Sequence, residues 1–428
     1  MADNITLNLG TGGDTLAAKD VDGVKYQKVL ADPLDGSSID AFSRARVSNP
    51  TTIFNSYFRY DLLPIRYNAI TANSGTITHL PNESSAELAT AAVASSSAIM
   101  VSKQYHRYIP GKSQLIVMSG VIRAAVANVV KRVGYFDASN GIFLEQNGTT
   151  DVAFVRRTST SGSPVDNRVV QASWNVDPMD GTGPSGITLD LTKSYILVID
   201  LQWLGMGRAR VGFDIGGQIV YVHYFQTANT LTSVYMTEGN LPNRWEISGN
   251  GVSTMIATCA AVISEGGSEL DGGFFMSAGS GLTVRTFTSG TPLPVIAVRP
   301  RTTFNGITNH GTYALESVTW LPTSGSNDFL WQLVYDTVIT GGSWVNVNTS
   351  SSAMEINSTG TAVTGGLVIS GGHDNSSNSQ RQPQTSVNHD RYPWCVDAVG
   401  SQIVMALVMT DISGSSNVHS TMSWREQR

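Results

Sequence analysis

The stretch "RVGFDIGGQIVYVHYFQ", Arg210–Gln226, decides how the chain is read. Val211, Phe213 and Ile215 alternate before Gly216-Gly217, and Ile219, Tyr221 and His223 alternate after it. Period 2 is the periodicity of a strand, and a glycine pair supplies the positive φ that a two-residue hairpin turn requires. The second arm is also apolar at Val220, Val222 and Tyr224. A strand apolar on both sides is expected to be covered on both. His223 has no acidic or cysteine neighbour nearby in sequence and reads as a structural histidine.

The pattern repeats outward from this hairpin. Short apolar runs at 113–123, 129–136, 141–146, 151–158, 168–175, 195–203, 231–237, 243–248, 254–264, 282–288 and 294–299 are separated by Gly, Asn, Asp or Ser. Strands at near-regular spacing without helical patterns between them predict a mainly β chain, with an antiparallel β-sandwich or jelly-roll body. The Ala-rich run 84–100 fits helix or strand, and 36–48 fits one short helix capped by Ser37 or Ser38. Residues 1–35 read as an extended N-terminal arm, 36–290 as the main sandwich, and 291–428 as a second β domain or the outer strands of the first. Prolines cluster in 288–302, where a boundary is expected, and the polar segment 369–393 reads as a large exposed loop.

Composition narrows the function classes. The chain has 428 residues, 41% hydrophobic and only 14% charged, against about 25% charged in an ordinary soluble domain. Low charge with strands apolar on both faces predicts burial between subunits, hence a homo-oligomer. The net charge of −6 argues against nucleic acid as a partner. Met1–Asn4 lacks the basic and apolar regions of a secretory leader. No apolar run reaches the roughly 18 residues of a membrane span, so no membrane partner is expected. Cys259 and Cys395 match no metal-ligand spacing and read as buried free thiols.

Candidate chemistry is sparse. "PGKSQ" at 110–114 has His106 where a phosphate loop needs glycine, and it leads into a strand. Asp177 and Asp180 in "DPMDGTG" are a weak calcium candidate, with too few oxygen ligands, and read first as a hydrogen-bonded turn. Asp200 or Asp190 with Glu246 could form a carboxylate pair, although nothing in sequence shows that they meet. There is no Gly-x-Ser-x-Gly elbow and no His-Glu-x-x-His, so a chain without enzymatic activity or cofactor is expected. "VNHDRYPW" gathers His389, Asp390, Arg391, Tyr392 and Trp394, the mixture of aromatic and polar groups that a ligand-binding loop would use. In the arm, Ile5, Leu7, Leu9, Val24 and Tyr26 alternate without a core of their own and suit docking on a partner.

The arm "LNLGTGGDTLAAKDVDGVKYQKV" resembles the N-terminal segments of tailed-bacteriophage structural proteins. The blocks "QYHRYIPGKSQ", "RVGYFDASNGIFLEQNG", "VQASWNVDPMDGTGPSGITLD", "IDLQWLGMGRARVGF" and "NLPNRWEI" are similar to phage virion proteins. The resemblance covers roughly residues 1–35 and 100–250. It implies a virion component made in the host cytoplasm, a capsid-decoration or tail-fibre protein that binds itself as a trimer and other virion proteins through its arm. The alternative is a receptor- or carbohydrate-binding module that attaches the particle to a host-surface glycan or protein. Deleting residues 2–30 is expected to leave a folded body that no longer joins particles. Normal incorporation of the truncated chain, scored by immunoblot of purified particles, would refute the anchoring role.

Overall fold

The computed structural model describes residues 49–267, 272–324, 327–376 and 392–428, together with Asp40, Phe42 and the strands Asn4–Thr6, Thr15–Val21, Val24–Gln27 and Gln384–Thr385. It is predominantly β. The one helix among the described residues is the single 3-10 turn Gln171–Ser173.

Two open antiparallel sheets build the first body. In one, the spatial order is Val165–Val170, Asp151–Thr158, Gly141–Asn147, Val129–Phe136, Asn243–Gly249, Ser96–Ser102 and Tyr67–Ala72. In the other it is Gln218–Gln226, Arg208–Ile215, Ser194–Leu201, Gln114–Val121, Ser253–Ser264, Ser85–Thr90 and Thr76–Leu80, with Thr51–Tyr57 also paired to Ser253–Ser264. Alternate side chains of both sheets merge into one core that includes Val133, Tyr135, Leu144 and Trp245 from the first and Leu197, Val211, Phe213 and Met255 from the second. This is the sandwich-like arrangement in which period-2 alternation sends one face of each sheet inward.

The opening stretch forms the expected hairpin. Ile215 pairs with Gln218 across Gly216 and Gly217, whose φ angles are 65° and 81°. A bulge between Val211 and Gly212 leaves Val222 as the extra residue, because Val211 faces His223 while Gly212 faces Tyr221. A Cβ on Gly212 would lie 2.1 Å from the Val220 carbonyl oxygen, so the bulge requires glycine. The outer side of the hairpin is not simply apolar. Tyr221 lies there with Arg210 and Asp200, both wholly buried: Arg210 and the Tyr221 hydroxyl each donate to the Asp200 carboxylate, and the guanidinium lies 4.4 Å from the Tyr221 ring.

A second body follows. Leu293–Pro300, Met405–Asp411 and Asp328–Tyr335 run through the middle of a six-stranded sheet completed by Val345–Asn346, Met354–Asn357 and Leu367–Asn375. The five-stranded sheet holds Phe274–Gly279, Ser415–Gln427, Thr312–Ser324 and Gln384–Thr385, with Arg285–Thr288 also on Ser415–Gln427. Their shared core includes Val298, Leu333, Trp394, Leu407 and Trp424.

Several expectations are corrected here. The run 84–100 is two strands, Ser85–Thr90 and Ser96–Ser102. The expected strand 168–175 ends at Val170, where the chain turns into the 3-10 helix. Residues 231–237, expected as a strand, form bends, because tertiary bonds hold them: the Tyr235 hydroxyl donates to the Gln202 carbonyl and Trp203 Nε1 to the Met236 carbonyl. The expected loop 369–393 begins instead as the strand Leu367–Asn375, paired with Asp328–Tyr335. Cys259 is exposed and Cys395 is buried, and both are free thiols. The helix expected at 36–48 lies outside the described residues except for Asp40 and Phe42.

No atom stands within 4 Å of a Cβ built on Gly216 or Gly217, so their cost of substitution is conformational alone. Replacing both with alanine is expected to destabilise the protein by about 1 kcal/mol per residue, read as a lower urea midpoint with unchanged slope. An unchanged midpoint would contradict the turn geometry.

Candidate functional site

The outer face of the seven-stranded sheet carries a network of charges that is internally matched. Register places Arg132 between Glu145 and Glu246 on its two neighbouring strands. Arg132 bonds Glu145 at 2.7 Å and Glu246 at 2.9 Å, Arg168 joins Glu145 and Asp151, and Arg244 joins Glu246. The guanidiniums of Arg244 and Arg157 cover the rings of Phe136 and Phe143 at 5.2 and 5.1 Å. Burial raises the Glu246 carboxyl, but the Arg244 and Arg132 charges outweigh it and hold the group below its ordinary range. Such a carboxylate stays ionised and is not placed to act as a general acid.

The carboxylate pairs considered from sequence are not assembled. Asp200 lies on the other sheet with Arg210 and Tyr221, and exposed Asp190 caps its own turn through Thr192. Asp177 accepts from the backbone amides of Met179 and Ser185, both at 2.8 Å, and Asp180 from the Thr182 amide at 2.9 Å. Their oxygens serve the local loop, and among the described residues no group of three or more His, Cys, Asp or Glu gathers at one point.

Of the loop singled out at 389–394, His389, Asp390 and Arg391 lie outside the described residues. Tyr392 packs half-buried on Tyr335, with ring centres 5.3 Å apart. Trp394 is a core residue: its Nε1 donates to the Ile403 carbonyl at 3.0 Å and its ring meets Trp424 edge-on. In the arm, Ile5 pairs with Leu16, Val24 with Val21 and Tyr26 with Lys19, within a three-stranded antiparallel sheet; Leu7 and Leu9 lie outside the described residues.

The segment after this loop leads to a groove that sequence reasoning missed. Pro393 closes one side of a cavity of about 370 Å³ whose other walls include Phe54, Asn55, Arg66 and Gln104. A neighbouring cavity of about 230 Å³ shares Asn55 and Arg66 and adds Tyr57 and Tyr60. The strand Thr51–Tyr57 explains the placement. Phe54 and Ser56 point inward, so Asn55 and Tyr57 point outward. Tyr57 is 57% exposed and Tyr60 85% exposed, large aromatic surfaces left in water. A tyrosine in the outward register of a strand was the available signal; its nearness to Gln104 and Pro393 was not visible.

A buried polar chain supports the groove floor. Ser56 Oγ meets the Tyr67 hydroxyl at 2.6 Å, Asn243 Nδ2 donates to the same hydroxyl at 2.7 Å, and His106 Nε2 lies 3.2 Å from Asn243 Oδ1. The His106 ring packs on Phe54, with centroids 4.5 Å apart. Burial, opposed by the Asn243 bond and aided by the Arg66 charge, lowers the His106 pKa to about 4. His223 accepts from the Asn175 amide through Nδ1, and burial lowers it to about 4 as well.

The groove lies beside the seam between the two bodies. Tyr105 stacks on His310 with centroids 3.7 Å apart, and His310 Nδ1 bonds Glu238. Burial pushes the Glu238 carboxyl up, against the pull of His310. Lys103 pairs with Asp336 at 3.1 Å, and Asn68 donates to Asp397 at 3.0 Å.

No protein-family model matches the sequence, and no curated protein matches it. Solved structures do resemble it. One is the CBM2 module of the evolved Dit of Lactobacillus casei BL23 phage J-1, 11% identical, covering 52% of this chain and 99% of that one, with a TM-score of 0.33. A second is a carbohydrate esterase from Shiga toxin-encoding bacteriophage phi24B, 9% identical, covering 50% and 99%, with a TM-score of 0.30. A third is a glycosyl hydrolase family protein from Mycobacterium fortuitum, 11% identical, covering 50% and 99%, with a TM-score of 0.32. These are distant likenesses over about half of the chain and carry no functional argument. They do correct one expectation. The absence of catalytic motifs pointed to a chain without enzymatic activity, yet an esterase and a glycosyl hydrolase family protein stand among the structures it resembles. Missing motifs therefore do not exclude catalysis, and the expectation of a chain without enzymatic activity does not stand.

The two lowered histidines set a pH dependence. A histidine kept neutral in the fold contributes stability above its unfolded pKa near 6.5, and that stability is lost as pH falls toward the folded pKa. With both at about 4, thermal stability is expected to decline between pH 6.5 and 4, by on the order of 3 kcal/mol per histidine. His223→Gln should shrink that decline when melting is followed across the window. A variant with the full wild-type acid dependence would show that His223 does not contribute.

Proposed function

We propose that this protein is a saccharide-binding attachment component of a phage particle, with the groove between Tyr57, Tyr60, Asn55, Arg66 and Gln104 as its binding site. The observation that carries this reading is the pair of exposed tyrosine rings beside planar hydrogen-bonding side chains in one concave surface. Aromatic faces bind the C–H faces of sugar rings, while amide and guanidinium groups bind their hydroxyls, so a shallow wet groove of this kind suits a saccharide. The phage setting rests on the resemblance of the N-terminal arm and central blocks to virion proteins. In this reading the arm tethers the chain to other virion proteins and the groove faces the host surface; a homotrimer would present three grooves, multiplying weak contacts into useful avidity.

The rival reading, a decoration or fibre protein with no ligand, leaves the exposed tyrosines without a role. The test is binding of the full chain to a glycan array and to purified host-surface polysaccharide, followed by calorimetry on the best binder. Tyr57→Ala and Tyr60→Ala are each expected to weaken binding about tenfold, equivalent to ~1.4 kcal/mol for one lost ring contact, with unchanged melting because neither ring is in the core. Wild-type protein that binds no saccharide, or tyrosine variants that bind as well as wild type, would overturn the proposal.

A further inference from the structure

We infer that the saccharide taken by this groove is anionic and that Arg66 seats its carboxylate. The inference rests on the glycan reading above and goes further, to the chemical class of ligand.

Arg66 is the one charged side chain among the described residues that line the two joined cavities, and it lines both. Its position is fixed before any ligand arrives. Nη1 donates to the Asn55 carbonyl at 2.6 Å, and the guanidinium lies 5.5 Å from the Phe54 ring centre. A guanidinium held by one backbone bond and one aromatic face loses little freedom on binding. Its remaining N–H groups meet no acceptor within hydrogen-bond distance among the described residues.

Several other arginines in this molecule are paired. Arg132, Arg157, Arg168, Arg244, Arg299 and Arg425 each hold a carboxylate. Among the described residues Arg66 has none, and none of those that line the groove around it carries a carboxylate. The protein as a whole is negative, with a formal net charge of −6. Arg59, Arg285 and Arg301 also bond backbone carbonyls rather than a carboxylate, but none of them lines these two cavities. An oriented guanidinium without a carboxylate partner in a concave surface of a net negative chain presents a point of attraction for an anion. The fork of a guanidinium fits the two oxygens of a carboxylate. With Tyr57 and Tyr60 alongside for ring faces, the complementary ligand is a saccharide bearing a sugar acid.

The experiment uses the full chain in low-salt buffer at pH 7. The probes are a galacturonic acid oligosaccharide and a sialyl oligosaccharide, each beside its carboxyl-reduced form. Wild type is expected to bind at least one acid form tenfold or more tightly than its reduced counterpart, and to lose that preference as salt rises. Arg66→Gln should bind both forms alike, at the affinity of the reduced sugar, and Arg66→Lys should keep a part of the preference. Tyr60→Ala should weaken both forms by the same factor and leave the preference intact. Circular dichroism and melting serve to show that the variants are folded. If wild type binds sugars without preferring the acid, or if Arg66→Gln keeps the preference, the anion inference fails while the saccharide reading stands. If wild type binds neither the acid nor the reduced probes, nor any saccharide on the array, both fail together.

Discussion

The alternation of side chains along a strand governs this molecule. Once one face of each sheet enters a sandwich core, every second residue must face the other way, whatever it is. On the seven-stranded sheet this outward set includes Arg132, Glu145, Glu246, Arg168 and Arg244, and the strand register delivers them as neighbours of opposite sign. On the other sheet the same rule brings Asp200, Arg210 and Tyr221 together. Burying such groups is costly unless each charge meets a partner with good geometry. A chain with few charged residues therefore spends many of them on matched ladders across its sheets. The cations that remain outside these ladders become the informative ones.

Two cores, one built from strands between Phe54 and Val262 and one from strands between Phe287 and Trp424, meet along a seam of mixed chemistry. The Tyr105–His310 stack supplies flat contact, and Lys103–Asp336 and Asn68–Asp397 supply direction. The Cys395 thiol donates to the Lys103 carbonyl across the same seam, and burial pushes that thiol well above its ordinary range. It is an inert structural group, unlike the exposed Cys259. The groove opens beside this seam because the strand Thr51–Tyr57 lies close to the point where the second body delivers Pro393.

Much of the strand framework was legible because local pattern and tertiary role agree. Val129–Phe136 and Asp151–Thr158 alternate, are bounded by turn residues, and pair as their patterns require. The failures lie where distant atoms override local pattern. Residues 231–237 form an apolar run of strand-like composition, but the Gln202 carbonyl and the Trp203 and Asn140 side chains claim Tyr235, Met236 and Thr237 individually, and the backbone follows those anchors. The proline-rich stretch at 288–302 contains Leu293–Pro300, a strand inside the six-stranded sheet; the bulge between Pro294 and Ile296 accommodates a residue that cannot donate to the ladder. The groove was hidden for a related reason. Tyr57 and Arg66 are close in sequence, but Gln104 and Pro393 reach them only through long-range pairing, and no spacing rule encodes that meeting.

One wall of the groove comes from each body: Phe54, Asn55 and Arg66 from the first, Pro393 from the second. A ligand touching both walls is therefore also a clasp. By reciprocity, the factor by which an intact seam tightens the ligand is the factor by which the ligand tightens the seam. A mechanical load that parts the two bodies removes one wall while leaving both cores whole. Under the proposed reading, hold on such a ligand and cohesion of the seam are coupled through Pro393.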